Sequence, residues 1–425
     1  MKRTILGLAL AGTAAACADV SFSNVSVRQL WPFSRDVVVD YVAAGVNGIQ
    51  QVRVTAFDGD TRLGEIPAAA FRADSTVRAD GAGRLAFDPS KAPALKARGI
   101  AKDFRVSLSA VPVPADDLLY VVFDLTKTPG QPGQETWITA EALTNGVWGT
   151  WERRFWPKGE DAVCWTGVTN DTKYALTHLV MRRIPAGAFR MGSPADEVER
   201  AQFADFEFLQ REVTLTQPYY IGVYPITCKQ YRLMSGSTNT AELDMPSHND
   251  SWMTVRGSNA WPGDAPSPST VLGKLRVRTG WPLDFPTEAQ WEKAARAGAD
   301  GVYYDGDMTG THLAPRITMA WCSNNSQGWR HTVGQLKPNN YGLYDMLGNV
   351  FEFTLDWMGD KDSQPTLTDP VGPAAEQAGY EKQRVVKGGA FFSDYFNVRL
   401  ALRAGRAVDA ASTGYGWRVA MPASK

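Results

Sequence analysis

Residues 339–353 read NNYGLYDMLGNVFEF, and this stretch decides what kind of fold the chain can build. Gly348, in Gly-Asn-Val, puts a flexible residue where the backbone must turn or approach another segment closely. Two acids, Asp345 and Glu352, flank that turn. Phe351 and Phe353 bring large apolar area of the kind that staples loops together where regular elements are scarce. The composition agrees: 14 Trp, 39 Gly and 25 Pro in 425 residues point to a loop-rich, aromatic-stapled fold rather than a helical bundle.

Four further islands surround it in order: IPAGAFRMGSP (184–194), YYIGVYPITCKQY (219–231), FPTEAQWEKAARAG (285–298) and VVKGGAFF…RLALR…GYGWRVA (385–420). The third is helical. Thr287 caps it, Glu288 sits in the first turn where a carboxylate meets the helix dipole, and Gly298 is expected to stop it. Trp291, Ala294 and Ala295 fall on one face. Tyr219, Tyr220, Tyr224, Trp291, Phe351, Phe353 and Trp417 read as core rather than as a ligand platform.

Taken together and in order, the five islands resemble the formylglycine-generating enzyme, or sulfatase-modifying factor, family over about residues 178–421. The resemblance implies a C-type-lectin-like α/β domain with little regular secondary structure. It also implies calcium as a cofactor. Asp345, Gly348, Val350 and Glu352 fall on positions that bind calcium in that family, carboxylates from the first and last and main-chain carbonyls from the middle two. Calcium takes about six to eight oxygens at roughly 2.4 Å from flexible donors, which two acids around a glycine turn suit. The alternative is that both acids cap turns or pair with arginines. A second calcium site does not carry over, because WCSNNSQGWRHTVG (321–334) lacks the expected acid.

The last island bears on activity. The family's enzymes place two cysteines shortly after this glycine pair, where they bind copper and activate oxygen to oxidise a substrate cysteine. Here the segment is GGAFFSDYFNVRLALR (388–403), with Ser393 at the first position and Tyr395 or Val398 at the second. Copper(I) selects soft thiolates, so copper is not expected. Ser393, Asp394, Tyr395 and Asn397 lie where the enzyme would hold substrate and are the candidate ligand-binding residues. The expectation is a non-catalytic ligand-binding member of the family, its ligand a glycan, peptide or small molecule. The alternative is an enzyme of altered chemistry. The sulfoxide-synthase branch uses a histidine-bearing helical domain, and the first 177 residues hold no His.

The rest of the chain reads as an α+β protein with a separate N-terminal part. VSFSNVSV, DVVVDYV, IQQVRVTAF, FRVSLSAV and LLYVVFDL, between residues 19 and 125, predict an antiparallel, Ig-like β-sandwich. TKTPGQPGQ (126–134) predicts a linker, with a connector running to residue 177 and the second domain from 178 to 425. Lys2, Arg3, the apolar run 5–16 and Ala16-Cys17-Ala18 read as a secretory signal peptide over residues 1–18, making the protein exported. A lipid anchor at Cys17 is the rival, but Ala14-Ala15-Ala16 lacks the usual large aliphatic residue.

With 44 basic and 45 acidic residues and no clustered basic face, a nucleic-acid partner is not expected. No transmembrane segment is expected either. Cys164, Cys228 and Cys322 read as one disulfide and one buried thiol. The four His (178, 248, 312, 331) are scattered, and none pairs with a cysteine at ligand spacing, so zinc is not expected. P-loop, nucleophile-elbow, dinucleotide and H-E-x-x-H motifs are absent from the sequence.

Overall fold

The computed structural model describes residues 20–29, 36–71, 75–77, 79–96, 103–114, 117–155, 161–195, 197, 207–257, 260–304, 318–360 and 367–424. The expected signal peptide and Cys17 lie outside them. The chain forms two compact units: residues 1–119 with 137–150, and residues 120–136 with 151–425. It is mostly β, with 35% strand and 16% helix, which leaves about half in turns and loops, as the glycine and proline content implies.

Unit 1 holds β1 (Ser21–Gln29), β2 (Val37–Ala44), β3 (Gln50–Asp58), β4 (Thr61–Glu65), β5 (Thr76–Val77), β6 (Gly81–Phe87) and β7 (Phe104–Pro112). One antiparallel sheet has the order β1-β2-β6; in the other, β3 pairs with β4, β5 and β7. Period-2 patterning drives both sheets. In β3, Val52, Val54 and Ala56 are buried while Arg53 is exposed, and β2 buries Val37, Val39, Tyr41 and Ala43. These residues share one core with Leu85 and Phe87 of β6. Burying each valine there stabilises the fold by roughly 1.5–3 kcal/mol before chain entropy is counted.

A five-stranded sheet is built from β8 (Leu118–Asp124), β9 (Glu135–Thr139), β12 (His178–Ile184), β15 (Tyr219–Gly222) and β20 (Ala420–Pro422), in the order β20-β15-β12-β8-β9. Two hairpins accompany it, β10 (Glu152–Phe155) with β11 (Asp161–Cys164) and β13 (Gly187–Met191) with β14 (Arg211–Leu215). A second sheet has the order β18-β17-β16-β19, from β16 (Phe351–Trp357), β17 (Gln383–Lys387), β18 (Arg403–Ala407) and β19 (Tyr415–Gly416). The helices are short; Glu288–Arg296 is the one expected from sequence. Thr287 Oγ1 accepts from the Gln290 N–H and Gln290 returns the bond, a capping box, while Trp291, Ala294 and Ala295 are wholly buried. The helix ends at Ala297, in the left-handed region at φ 46°, one residue before the expected Gly298.

Three expectations need correction. The strand LLYVVFDL does not close the N-terminal sheets: as β8 it pairs with β12, Tyr120 opposite Arg182 and Asp124 opposite His178. The segment TKTPGQPGQ is not a linker but the turn joining β8 to β9. The Asp124 N–H donates to Gln134 O at 2.8 Å, Lys127 Nζ reaches Pro132 O, and Arg278 Nη1 donates to Leu125 O at 2.6 Å. Proline and positive-φ glycine serve a tight turn as well as a tether, so composition alone does not separate the two. Among the described residues the cysteines form no disulfide: Cys164, Cys228 and Cys322 are all free and buried.

Candidate functional site

The site is held by charges buried in the core. Glu288 and Glu292, one turn apart on the helix Glu288–Arg296, face inward onto cations from the second sheet. Arg403, in β18, grips Glu288 with Nε–Oε1 at 2.9 Å and Nη2–Oε2 at 3.0 Å. Lys387, at the end of β17, donates to Glu292 Oε2 at 3.0 Å, and Arg296 and the Gly192 N–H hold Glu292 Oε1 at 2.7 and 2.8 Å. Burial alone would push the Glu292 carboxyl up; Lys387 and Arg296 outweigh it and hold it at about 2. A buried pair of this kind costs about 3–5 kcal/mol when one partner is removed, which makes the helix a rigid backing for β17 and β18.

From Lys387 the chain turns sharply at Gly388 and Gly389, φ 89° and 80°. Both need glycine. A Cβ on Gly388 would sit 2.9 Å from Met346 O, and one on Gly389 2.7 Å from Asn397 O. The loop that follows is tied down at three points. Ser326 Oγ donates to Phe391 O at 2.7 Å, the Ser323 N–H donates to Ser393 O at 3.0 Å, and Arg399 Nε donates to Phe396 O at 2.7 Å. Arg399 is itself paired, inside the core, with Glu207 and Glu197.

Between this loop and β18 lies a cavity of about 460 Å³. Its apolar wall includes Phe351, Met358, Phe392 and Leu402; Gln383, Asp394, Asn397 and Arg406 supply polar groups. Phe392 is 48% exposed, and its ring lies across Gly414, where a Cβ would be 2.2 Å away. Arg406 stands over the rings of Phe351 and Tyr415, 5.3 and 5.7 Å from their centroids. The aromatic surface continues through Phe391 to Trp329, which is 47% exposed. An apolar, aromatic wall with a few convergent polar groups is what a small-ligand site requires.

The sulfatase-modifying factor enzyme 1-like domain family matches residues 169–423, which is more than half of the chain and contains the whole cavity. The chain belongs to this family. Among its relatives, a formylglycine-generating enzyme of Mus musculus is 26% identical over 297 residues, covering 58% of this chain and 75% of the relative. One of Mycobacterium tuberculosis is 30% identical over 301 residues, covering 59% of this chain and 99% of the relative. The inactive C-alpha-formylglycine-generating enzyme 2 of Mus musculus is 26% identical over 295 residues, covering 58% and 86%.

This sulfatase-modifying-factor chain brings three of its four candidate ligand residues, Ser393, Asp394 and Asn397, to one cavity. Tyr395 is not among the lining residues; its ring meets Phe396 edge-on, the centroids 5.4 Å apart. Ser393 is nearly buried, and its Oγ accepts the Ala390 N–H at 3.0 Å, so the hydroxyl closes the loop's first turn. Val398 is fully buried. Neither position carries sulfur and the cavity lining holds no cysteine, so the donor set does not fit a copper thiolate pair.

The two carboxylates expected to bind calcium already have protein partners. Glu352 accepts from Arg418 Nη2 at 2.8 Å and from Trp291 Nε1 at 2.6 Å, so its charge is already matched by a guanidinium. Asp345 accepts the Gly334 N–H at 2.7 Å and Asn349 Nδ2 at 3.2 Å, and burial pushes its carboxyl up to about 6. The Gly348 N–H donates to Gly388 O, and Val350 is buried beside Gly416. Of the two readings the sequence allowed, arginine pairing describes Glu352 and turn closure describes Asp345.

The sequence reading missed Phe392, Gln383, Met358 and Arg406. They come from separate segments, and no spacing joins them. Phe351, read as core rather than as a ligand platform, is buried, yet it also floors the cavity.

Proposed function

We propose that this chain is an exported, non-catalytic member of the sulfatase-modifying factor family that binds a ligand in the cavity beside Phe392 and Arg406. The observation that carries the reading is the pairing of an aromatic, arginine-bearing cavity with a lining that holds no cysteine thiol. Ser393 Oγ accepts the Ala390 N–H and keeps its own proton to donate, so it joins Asp394, Asn397, Gln383 and Arg406 in recognition. A sugar ring or a peptide side chain with one apolar face and several hydroxyl or amide groups suits this wall. Export rests on Lys2, Arg3 and the apolar run that follows them. For the N-terminal unit we propose an Ig-like sandwich that serves as a docking module, supported by its two antiparallel sheets and shared core.

The test is a screen of glycans, peptides and metabolites against the full chain. Arg406→Ala and Phe392→Ala should each weaken a hit about tenfold, the scale of a single anchor residue, with an unchanged melting temperature. Hits indifferent to both substitutions would contradict the assignment.

A further inference from the structure

Away from the cavity, three residues that the sequence reading kept apart come together. Cys228 is the first residue of the helix Cys228–Ser235, Glu242 lies in the following turn, and His248 lies beyond Pro246. One potential ligand atom from each lies within 4.8 Å of the others. Cys228 Sγ is 3.7 Å from His248 Nδ1, and His248 Nε2 is 3.9 Å from Glu242 Oε2. We propose that Cys228, Glu242 and His248 form a three-ligand site for a zinc ion, separate from the ligand cavity.

The backbone is built to hold them there. The N–H groups of Cys228 and Lys229 donate to Met245 O and Leu243 O, both at 2.9 Å, and the Ser247 N–H donates to Ile226 O at 2.7 Å. Thr227 bridges Pro246. The segment 242–248 is thus laced across the start of the helix. Glu242 itself is held at φ 54°, a left-handed conformation that a glutamate adopts only when its surroundings demand it. Arg330 pins the far side, donating to Pro246 O and to Glu242 Oε2, both at 2.9 Å.

The chemistry fits a borderline-soft ion. Zinc takes thiolate sulfur at about 2.3 Å and imidazole nitrogen at about 2.0 Å, and a tetrahedral angle between them sets the S···N edge near ~3.5 Å. The observed 3.7 Å is already close to that edge. Glu242 offers a carboxylate oxygen within 4.8 Å of the other two ligand atoms, and its side chain is 27% exposed. It also lines a cavity of about 650 Å³, which gives an ion a way in.

The protonation states agree: burial, then Arg330, lowers His248, leaving the neutral imidazole a metal needs. Burial raises the Cys228 thiol, so it is inert as a nucleophile until a metal displaces its proton. That separates this reading from a catalytic Cys–His pair, which needs an exposed, acidified thiol. Arg330 and Arg232 add positive charge nearby, which limits the affinity rather than the geometry.

The test uses the full-length chain and two metals without ligand: zinc in competition with a chromophoric chelator, and cobalt(II) as a spectroscopic probe. One equivalent should bind, and cobalt should show thiolate charge-transfer absorption. Cys228→Ser and His248→Ala should each weaken zinc at least tenfold, while Cys322→Ser and Cys164→Ser should not. His248, unlike Cys228, is partly exposed, so its variant remains informative if the Cys228 variant fails to fold. Three results would overturn the proposal: no stoichiometric binding, binding indifferent to His248→Ala, or rapid alkylation of Cys228 in metal-free protein, the mark of a nucleophile.

Discussion

Arg418 lies across the Glu352 carboxylate inside the core, Nη2 to Oε1 at 2.8 Å and Nε to Oε2 at 3.0 Å, with neither side chain reaching solvent. The same guanidinium donates to Gly222 O at 2.7 Å and Tyr344 O at 2.8 Å, which joins β15 to the loop before β16. Its neutraliser is Glu352. Glu352→Gln should therefore cost about 3–5 kcal/mol, the scale for leaving a buried charge unpaired. Calcium added to the chelator-treated chain should leave the melting temperature unchanged. A calcium-induced rise that Glu352→Gln removes would restore calcium to this position.

Asp356 predicts an unusual pH response. It is fully buried in β16; Oδ2 accepts the Glu288 N–H at 2.7 Å, and Oδ1 has no partner among the described residues. Burial, and then the Glu288 charge, push its carboxyl from 3.8 up to about 7. A raised acid favours the folded state below the unfolded value, and that advantage is lost as pH rises from about 4 through about 7. Asp356→Asn keeps an acceptor for Glu288 and removes the titration. Denaturant melts should show it neutral near pH 4 and stabilising at pH 8, by on the order of 1 kcal/mol or more. Destabilisation at pH 8 equal to that at pH 4 would contradict the assignment.

The turn between β8 and β9 should resist proteases. Its bonds to Pro132, Gln134 and Arg278 leave residues 126–134 a closed turn rather than a tether. Limited proteolysis followed by mass mapping should leave this stretch intact in the first fragments. Early cleavage there would bring back the linker.

What was legible in the sequence was local. Thr287, Glu288 and the spacing of Trp291, Ala294 and Ala295 are all decided within one helix, and the structure has them there. The N-terminal strands announce themselves through alternation within a few residues. What could not be read was pairing. An apolar run such as LLYVVFDL fits either sheet, and its partner β12 is chosen by contacts remote in sequence. The same limit hid the cavity, whose walls come from residues 351, 392 and 406, and the meeting of Cys228 with His248 across twenty positions. Glu352 was ambiguous for a related reason: its partner, Arg418, lies 66 residues away.

The central claim, binding without catalysis, rests on what surrounds Ser393. Its hydroxyl is bonded to the Ala390 N–H, Val398 is buried, and the cavity lining holds no cysteine thiol. The most direct measurement incubates the full chain with a cysteine-bearing sulfatase-type peptide, copper and oxygen, and follows the peptide by mass spectrometry. The account predicts that the peptide's cysteine stays unmodified at every copper concentration. Conversion to formylglycine by the wild-type chain, lost in Cys228→Ser or Cys322→Ser, would contradict it and make this protein an enzyme.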